Sequence, residues 1–206
     1  MEFFLIRHGE CEPPSRENYS LSLRAANGPL TARGILQAQA LAKYLEGAAI
    51  DAVYASDLTR AAQTAEVLCE KTRDAPRLCA AFREIDMGEA AYRPWSDFPE
   101  EYGRWALHEE DLPYPGGENG AQVWKRFSAA LLQIEREGYK RVAIVCHGGV
   151  IRCAVCGILG LPQQRRFLLG EPVENCSITI VKHDRETDRY RLQTFNDSAH
   201  LAGIPL

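Results

Sequence analysis

The sequence predicts an α/β fold: three layers, with a mostly parallel central sheet, helices on both faces, an inserted helical lid and a C-terminal hairpin. Three observations predict it. Short apolar runs alternate with segments of helical period along most of the 206 residues, the pattern of a parallel sheet with helical crossovers. The runs end on Gly, Ser or His rather than on two-residue hairpin turns. The last two runs are separated only by a short polar stretch, which suits an antiparallel pair. The length fits one domain over 1–206, with 84–118 as a lid-like insertion.

The elements follow in order. Phe3-Phe4-Leu5-Ile6 is a buried strand over 2–6, and a loop broken by Pro13-Pro14 and Gly28-Pro29 runs through 7–30. Thr31 is placed to cap a helix reaching about Leu45, with Leu36, Ala40, Leu41, Tyr44 and Leu45 as its apolar face and Gly47 as its stop. Ile50 to Ala55 is a second strand. A helix from Asp57 or Leu58 to Lys71 follows, with Ala61, Ala65 and Leu68 at helical spacing. A weaker strand is expected at 77–82. The Pro113-Tyr114-Pro115-Gly116-Gly117 break closes the insertion, and an amphipathic helix runs from Asn119 to Glu137, ended by Gly138. Arg141 to Cys146 is the clearest strand, interrupted by His147-Gly148-Gly149, where a further helix begins. Strands at 176–182 and 189–195 form an antiparallel edge pair.

About 46% of the residues are apolar, enough for a sizeable core, and the formal net charge of -4 gives no global basic footprint for nucleic acid. The N-terminal run is too short for a signal peptide, and no stretch approaches the length of a membrane span. The expectation is a soluble cytoplasmic protein, monomer or homodimer, with no nucleic acid and no membrane partner. Seven cysteines without a secretory signal read as reduced thiols. Cys153 and Cys156 form a C-x-x-C, but no second pair stands at zinc-ligand spacing. Both lie in an apolar helical stretch and read as small buried hydrophobes.

In an open α/β sheet, ligands bind beyond the carboxyl ends of the strands. Three strands run out into polar chemistry: the first at Arg7-His8-Gly9-Glu10, the second at Ser56 with Arg60 one turn into the next helix, and the last strong one at His147-Gly148-Gly149. If these strands are neighbours, two histidines and two arginines converge. Fixed guanidinium forks and the N–H groups of a helix starting near Gly148 suit an anion with charge spread over several oxygens. Taken singly, each residue has a structural reading; their coincidence points to an anion site and does not by itself name a reaction.

These residues resemble the signature of the histidine phosphatase superfamily, also called phosphoglycerate mutase-like. Leu5-Ile6-Arg7-His8-Gly9-Glu10 is similar to its R-H-G motif. Leu30-Thr31-Ala32-Arg33-Gly34 with Gln37-Ala38, Ser56-Asp57-Leu58-Thr59-Arg60-Ala61 with Thr64-Ala65, Pro115-Gly116-Gly117-Glu118, and His147-Gly148-Gly149-Val150-Ile151-Arg152 resemble its later segments, in family order. The resemblance implies a nucleophile at His8 that forms a phosphohistidine. It implies phosphoryl-oxygen contacts from Arg7, Arg60 and His147, with Gly148 in the phosphate site. It places the family's general acid at Glu84, four residues before Gly88. Asp86 is the competitor for that role, and a partly desolvated carboxyl is expected.

The implied activity is hydrolysis of a small phosphomonoester without metal or other cofactor, as in the bacterial alpha-ribazole phosphatases and broad-specificity phosphatases. The alternatives are phosphoglycerate mutase-type transfer and an inactive phospho-ligand binding module. The chain departs from the family at Cys11 (usually Thr), at Pro14 (usually Asn), and at Ala90-Ala91-Tyr92 (usually W-E-G). Cys11 beside a cationic site raises a second idea, a reactive thiolate; a small residue filling the threonine slot is the plainer reading.

Overall fold

The computed structural model describes residues 1–12, 27–70 and 74–204. Pro13, Pro14 and Lys71, named above, lie outside them. The chain order is β1 (Glu2–Arg7), α1 (Ala32–Leu45), β2 (Ala52–Ala55), α2 (Thr59–Cys69), β3 (Arg77–Leu78), α3 (Pro99–Leu107), α4 (Gly120–Arg136), β4 (Arg141–Cys146), α5 (Gly148–Ile158), β5 (Ile178–Asp184) and β6 (Arg189–Asp197). Short 3-10 turns lie between several of them. The strands form one sheet in the order β3-β2-β4-β1-β5-β6. β4 pairs parallel with both β1 and β2, and β2 pairs parallel with β3. The late hairpin is antiparallel: β5 against β1, and β6 on the outer edge.

The period of two along the strands sorts the core into two layers. Phe3, Leu5, Val142, Ile144 and Cys146 face α4 and α5, where they meet Val123, Phe127, Leu131, Ile151 and Val155. Phe4, Ile6, Ala55, Ala143 and Val145 face the other way, against Leu41 and Leu45 of α1 and Ala61 and Ala65 of α2. Each fully buried large apolar side chain contributes roughly 1.5–3 kcal/mol. Both faces of the central strands are covered, which explains their nearly unbroken apolar sequence.

Two expectations change. The apolar face of α1 is Gly34, Gln37, Ala38, Leu41 and Leu45, while Leu36 and Tyr44 are 49% and 54% exposed. The inward position goes to an amide because Gln37 Oε1 accepts the Glu10 N–H at 2.8 Å; Tyr44 instead stacks on His200. The strand expected at 77–82 is only Arg77–Leu78. Beyond Cys79, whose N–H reaches Ala55 O, a 3-10 turn at Ala80–Phe82 drives Phe82 into the core against Phe127, edge-on at 5.3 Å. The late hairpin forms one edge of the sheet, as expected, with β6 outermost and β5 joined to β1.

The insertion is helical, with 3-10 turns at Gly88–Ala91 and Trp95–Asp97 and the helix α3. Trp95, Tyr102, Trp105 and Tyr114 pack on one another at 5.1–5.4 Å. Arg93 and Arg104 are held by Glu89, Asp97 and Glu110. These aromatic and basic residues therefore hold the insertion together. Cys153 and Cys156 are fully buried in α5, as small hydrophobes would be. Among the described residues, no helix is long and apolar enough to cross a membrane.

α1 opens on Thr31, whose Oγ1 accepts the Gly34 N–H at 2.9 Å and donates to Glu10 Oε1 at 2.7 Å. This cap also anchors the chain leaving β1. Thr31→Ala should lower stability by about 1–2 kcal/mol, read as a shift of the urea midpoint at unchanged slope; an unmoved midpoint would show that the cap contributes nothing.

Candidate active site

The register that places β4 between β1 and β2 decides the site. Arg7 stands opposite Cys146, and Ala55 opposite Val145. β1 and β4 end level and β2 ends one residue short of them, so the next residues, His8, Ser56 and His147, emerge close together at the carboxyl ends. Arg60 arrives on the first turn of α2. The His8 and His147 rings lie 5.1 Å apart between centroids, tilted by 59°. The two histidines and Arg60, read from the sequence as convergent, are brought together and are all at least nine-tenths buried.

His8 is held from every side. Its N–H donates to Cys146 O at 3.0 Å, and its carbonyl accepts from Asn175 Nδ2 at 2.9 Å. Its Nδ1 lies 2.8 Å from Gly9 O. A carbonyl can only accept, so Nδ1 carries the proton and Nε2 keeps its lone pair. The Arg60 Nε–H points at that lone pair from 3.1 Å. Burial, then the charges of Arg60 and Arg7, push the His8 pKa down to about 3. His147 is driven well below its ordinary value by burial and then by His8, Arg60 and Arg7. Both imidazoles are therefore neutral near neutral pH.

His147 is the N-cap residue of α5, with Nε2 2.9 Å from Ser56 Oγ. Gly148 opens that helix, and a Cβ there would lie 3.7 Å from the Arg7 side chain, which puts the Arg7 stem beside the first helical N–H. The Arg7 guanidinium is anchored by Nη1 on Val173 O at 2.5 Å. Thr64 ties the elements together: its Oγ1 accepts the Gly9 N–H at 3.0 Å and donates to Arg60 O at 2.7 Å.

Glu84 reaches the same helix end. Its carboxyl accepts N–H groups from Ile85 at 3.0 Å, Gly149 at 3.2 Å and Val150 at 3.1 Å. It is half-buried, whereas Asp86, the competitor, is exposed and bonds locally to the Gly88 N–H. Beside this carboxyl a cleft of about 490 Å³ is lined by Asn27, Arg60, Arg83, Asp86, Met87 and Tyr92, among others. Cys11 is not an activated thiol: burial raises its pKa, outweighing the opposite pull of Arg60 and Arg7. Among the described residues, no group of three or more His, Cys, Asp or Glu could hold a metal ion.

A family profile described as histidine phosphatase superfamily (branch 1) matches residues 3–198. The chain belongs to the histidine phosphatase superfamily. A protein of Proteus mirabilis named probable phosphoglycerate mutase GpmB is 31% identical over 217 residues, covering 100% of this chain and 97% of that protein. A mycobacterial glucosyl-3-phosphoglycerate phosphatase, solved with inorganic phosphate, is 26% identical with a TM-score of 0.80, over 98% of this chain and 99% of that one. The alpha-ribazole phosphatase of Shigella flexneri has a TM-score of 0.79 at 24% identity, over 96% of both chains, and shows the same fold. The superfamily thus has both phosphatase and mutase-named members among this chain's relatives.

Sequence reasoning did not single out Thr64, Asn175, Glu118 or Arg126 for the site. Thr64 stands four residues after Arg60, on the same face of α2, and that spacing could have flagged it. Nothing near Asn175 or Arg126 in the sequence marks either.

Two outcomes follow from this geometry. The unfolded chain binds a proton on His8 below about 6.5, the folded chain only near 3, so the folded state loses stability as pH falls through that window. Between pH 7 and pH 4, His8→Asn should therefore lose about 3 kcal/mol less than the wild type, on an order-of-magnitude basis, measured by urea unfolding at both values; equal losses would show that His8 is not a buried neutral group. A Cβ at Gly149 would stand 2.6 Å from Glu84 Oε1. Gly149→Ala should displace that flexible carboxyl and cost under about 1 kcal/mol of stability. A crystal structure of the variant with the carboxyl unmoved would refute this.

Proposed function

We propose that the chain is a metal-independent phosphomonoester hydrolase that works through a phosphohistidine on His8, with a small phosphorylated metabolite as substrate. The observation that carries this reading is the tautomer of His8. Gly9 O fixes the proton on Nδ1, and the Nε2 lone pair faces a cluster of cations and N–H donors.

The chemistry runs in two steps. An entering phosphoryl group replaces the Arg60 Nε–H on the His8 lone pair. Nε2 bonds to phosphorus as the ester P–O bond breaks, and the leaving oxygen takes the proton of the Glu84 carboxyl. Glu84 then accepts a proton from water. That water attacks phosphorus, the P–N bond breaks, and its electron pair returns to Nε2. Arg7, Arg60, His147 and the Gly148 N–H hold the non-bridging oxygens and stabilise the charge developing on them. The two guanidinium groups supply the positive charge that a metal provides in other phosphoryl-transfer sites.

Hydrolysis is favoured over transfer to a second substrate oxygen by the form of the cleft. Tyr92 on its wall is 73% exposed, so the cleft beside Glu84 is open to water on that side. The likeness to a glucosyl-3-phosphoglycerate phosphatase, over 98% of this chain and 99% of that one, supports this reading. The mutase name of the curated relatives keeps one alternative in play: a mutase would interconvert monophosphoglycerates when primed by bisphosphoglycerate and release no net phosphate.

His8→Ala should abolish turnover with the fold retained, and labelled substrate should leave an acid-labile, base-stable label on the wild type only. Turnover by His8→Ala would overturn the mechanism, as would strong reversible inactivation by a chelator. Glu84→Gln should slow alkyl phosphates by about 100-fold and nitrophenyl phosphate far less, since general acid catalysis contributes roughly 100- to 10,000-fold where the leaving group is poor. Equal slowing of both substrates would remove Glu84 from the acid role.

A further inference from the structure

Glu84 sits in a segment with no strand or α-helix of its own. It follows the 3-10 turn at Ala80–Phe82 and precedes the one at Gly88–Ala91. No sheet ladder holds its main chain, yet the acid of a phosphoryl-transfer reaction must stand within hydrogen-bond reach of the leaving oxygen.

The hold comes from α4 and the turn before it. Arg126 Nε and Nη2 grip the two oxygens of Glu118 at 2.7 and 2.9 Å. Arg126 Nη1 donates to Ala81 O at 2.6 Å, and Nη2 also donates to the carbonyl of Glu84 itself at 3.2 Å. Glu118 Oε2 accepts the Asp86 N–H at 3.0 Å, and the Glu118 N–H donates to Asp86 O at 2.8 Å. The main chain is thus gripped at residues 84 and 86, on both sides of Ile85. The two strands of chain are also in close contact. A Cβ at Gly117 would lie 2.3 Å from Asp86 O, and one at Gly88 2.1 Å from Pro115 O. Both ion-pair partners are 22% exposed, sheltered enough for the pair to hold its geometry better than a surface pair does.

We propose that Arg126 and Glu118 are positioning residues that set the place of the Glu84 carboxyl, and through it the proton transfer to the leaving group. The inference rests on Glu84 being the leaving-group acid, as proposed above. Both line the cleft beside Glu84, but they bond to main-chain atoms and to each other rather than to His8, Arg7, Arg60 or His147. Their removal should leave attack by His8 intact and misplace only the acid.

The test is a double-mutant cycle. The kcat/KM values for an alkyl phosphate and for nitrophenyl phosphate are measured in the wild type, Glu84→Gln, Arg126→Met and the double variant. Arg126→Met should lose about 10- to 100-fold on the alkyl ester, the scale of a small misplacement of a catalytic group, and under about threefold on the nitrophenyl ester, whose leaving group needs little acid help. In the Glu84→Gln background it should cost under about twofold on either substrate. Arg126→Lys should recover part of the loss.

Equal losses on both substrates, or full additivity with Glu84→Gln, would overturn the clamp and leave the acid assignment standing. A Glu84→Gln variant without leaving-group dependence would overturn the acid assignment and the clamp with it. Should Arg126→Met fail to fold, Glu118→Gln, which keeps size and an acceptor for the Asp86 N–H, takes its place in the same cycle with the same outcomes.

Discussion

Everything at this site hangs on the parallel pairing of β4 with β1 on one side and β2 on the other. Its register brings the ends of three strands within one residue of the same level. A one-residue slip would be costly twice over, because it would exchange the two faces of a strand buried on both sides and would turn His8 or His147 into the core layers. The apolar contacts of Leu5, Ile144 and Val145 with the helices above and below therefore specify the chemistry as much as the fold. The same strand ends leave room for Arg60, because α2 starts at Thr59, three residues beyond Ser56.

That placement creates an electrostatic problem, which the site uses. Two imidazoles and two guanidinium groups share a space largely closed to water. Arginine keeps its charge under these conditions, whereas histidine gives up its proton. Burial and the neighbouring cations act in the same direction on His8, so the ring is neutral and its Gly9 partner decides which nitrogen bears the proton. An anion with several oxygens relieves the repulsion among the cations and meets donors already oriented, which cost little to reorganise at the moment of reaction. The resting contact from Arg60 to the His8 lone pair marks where that anion would enter.

The parts legible in the sequence are those that obey local rules. The strand ends at His8 and His147 follow unbroken apolar runs, Thr31 and Asn119 are caps by residue type, and Arg60 stands one turn into a helix. Hidden parts are those in which tertiary structure outranks local preference. Gln37 scores as polar yet faces inward, because the Glu10 N–H needs an acceptor there, and that rotates the apparent apolar face of α1 away from Leu36 and Tyr44. Cys11 reads as a thiol beside cations, but the depth of its burial, invisible in sequence, has the larger effect. Asn175 and Arg126 bond to main-chain atoms more than 40 residues away, and no periodicity encodes such contacts.

The division of labour between regular and irregular structure follows from what each reaction group must do. In the proposed mechanism the nucleophile and the phosphoryl-binding groups must hold one geometry through both steps, and the residues assigned to them stand on strand ends and helix starts fixed by the core. The acid of that mechanism must give a proton to one oxygen and take one from another. Glu84, the residue proposed for it, stands on an irregular segment beside the cleft. Such a segment could not hold a carboxyl by packing alone. In this chain it is pinned by hydrogen bonds from Arg126 and Glu118 behind it and met in front by the N–H groups of α5. The contact in front depends on Gly149, because any side chain there would meet the carboxyl before the helix could. The Glu84 carboxyl is thus fixed from two directions by residues that the core already holds. In the proposed mechanism this would let one carboxyl serve two proton transfers without a regular element of its own.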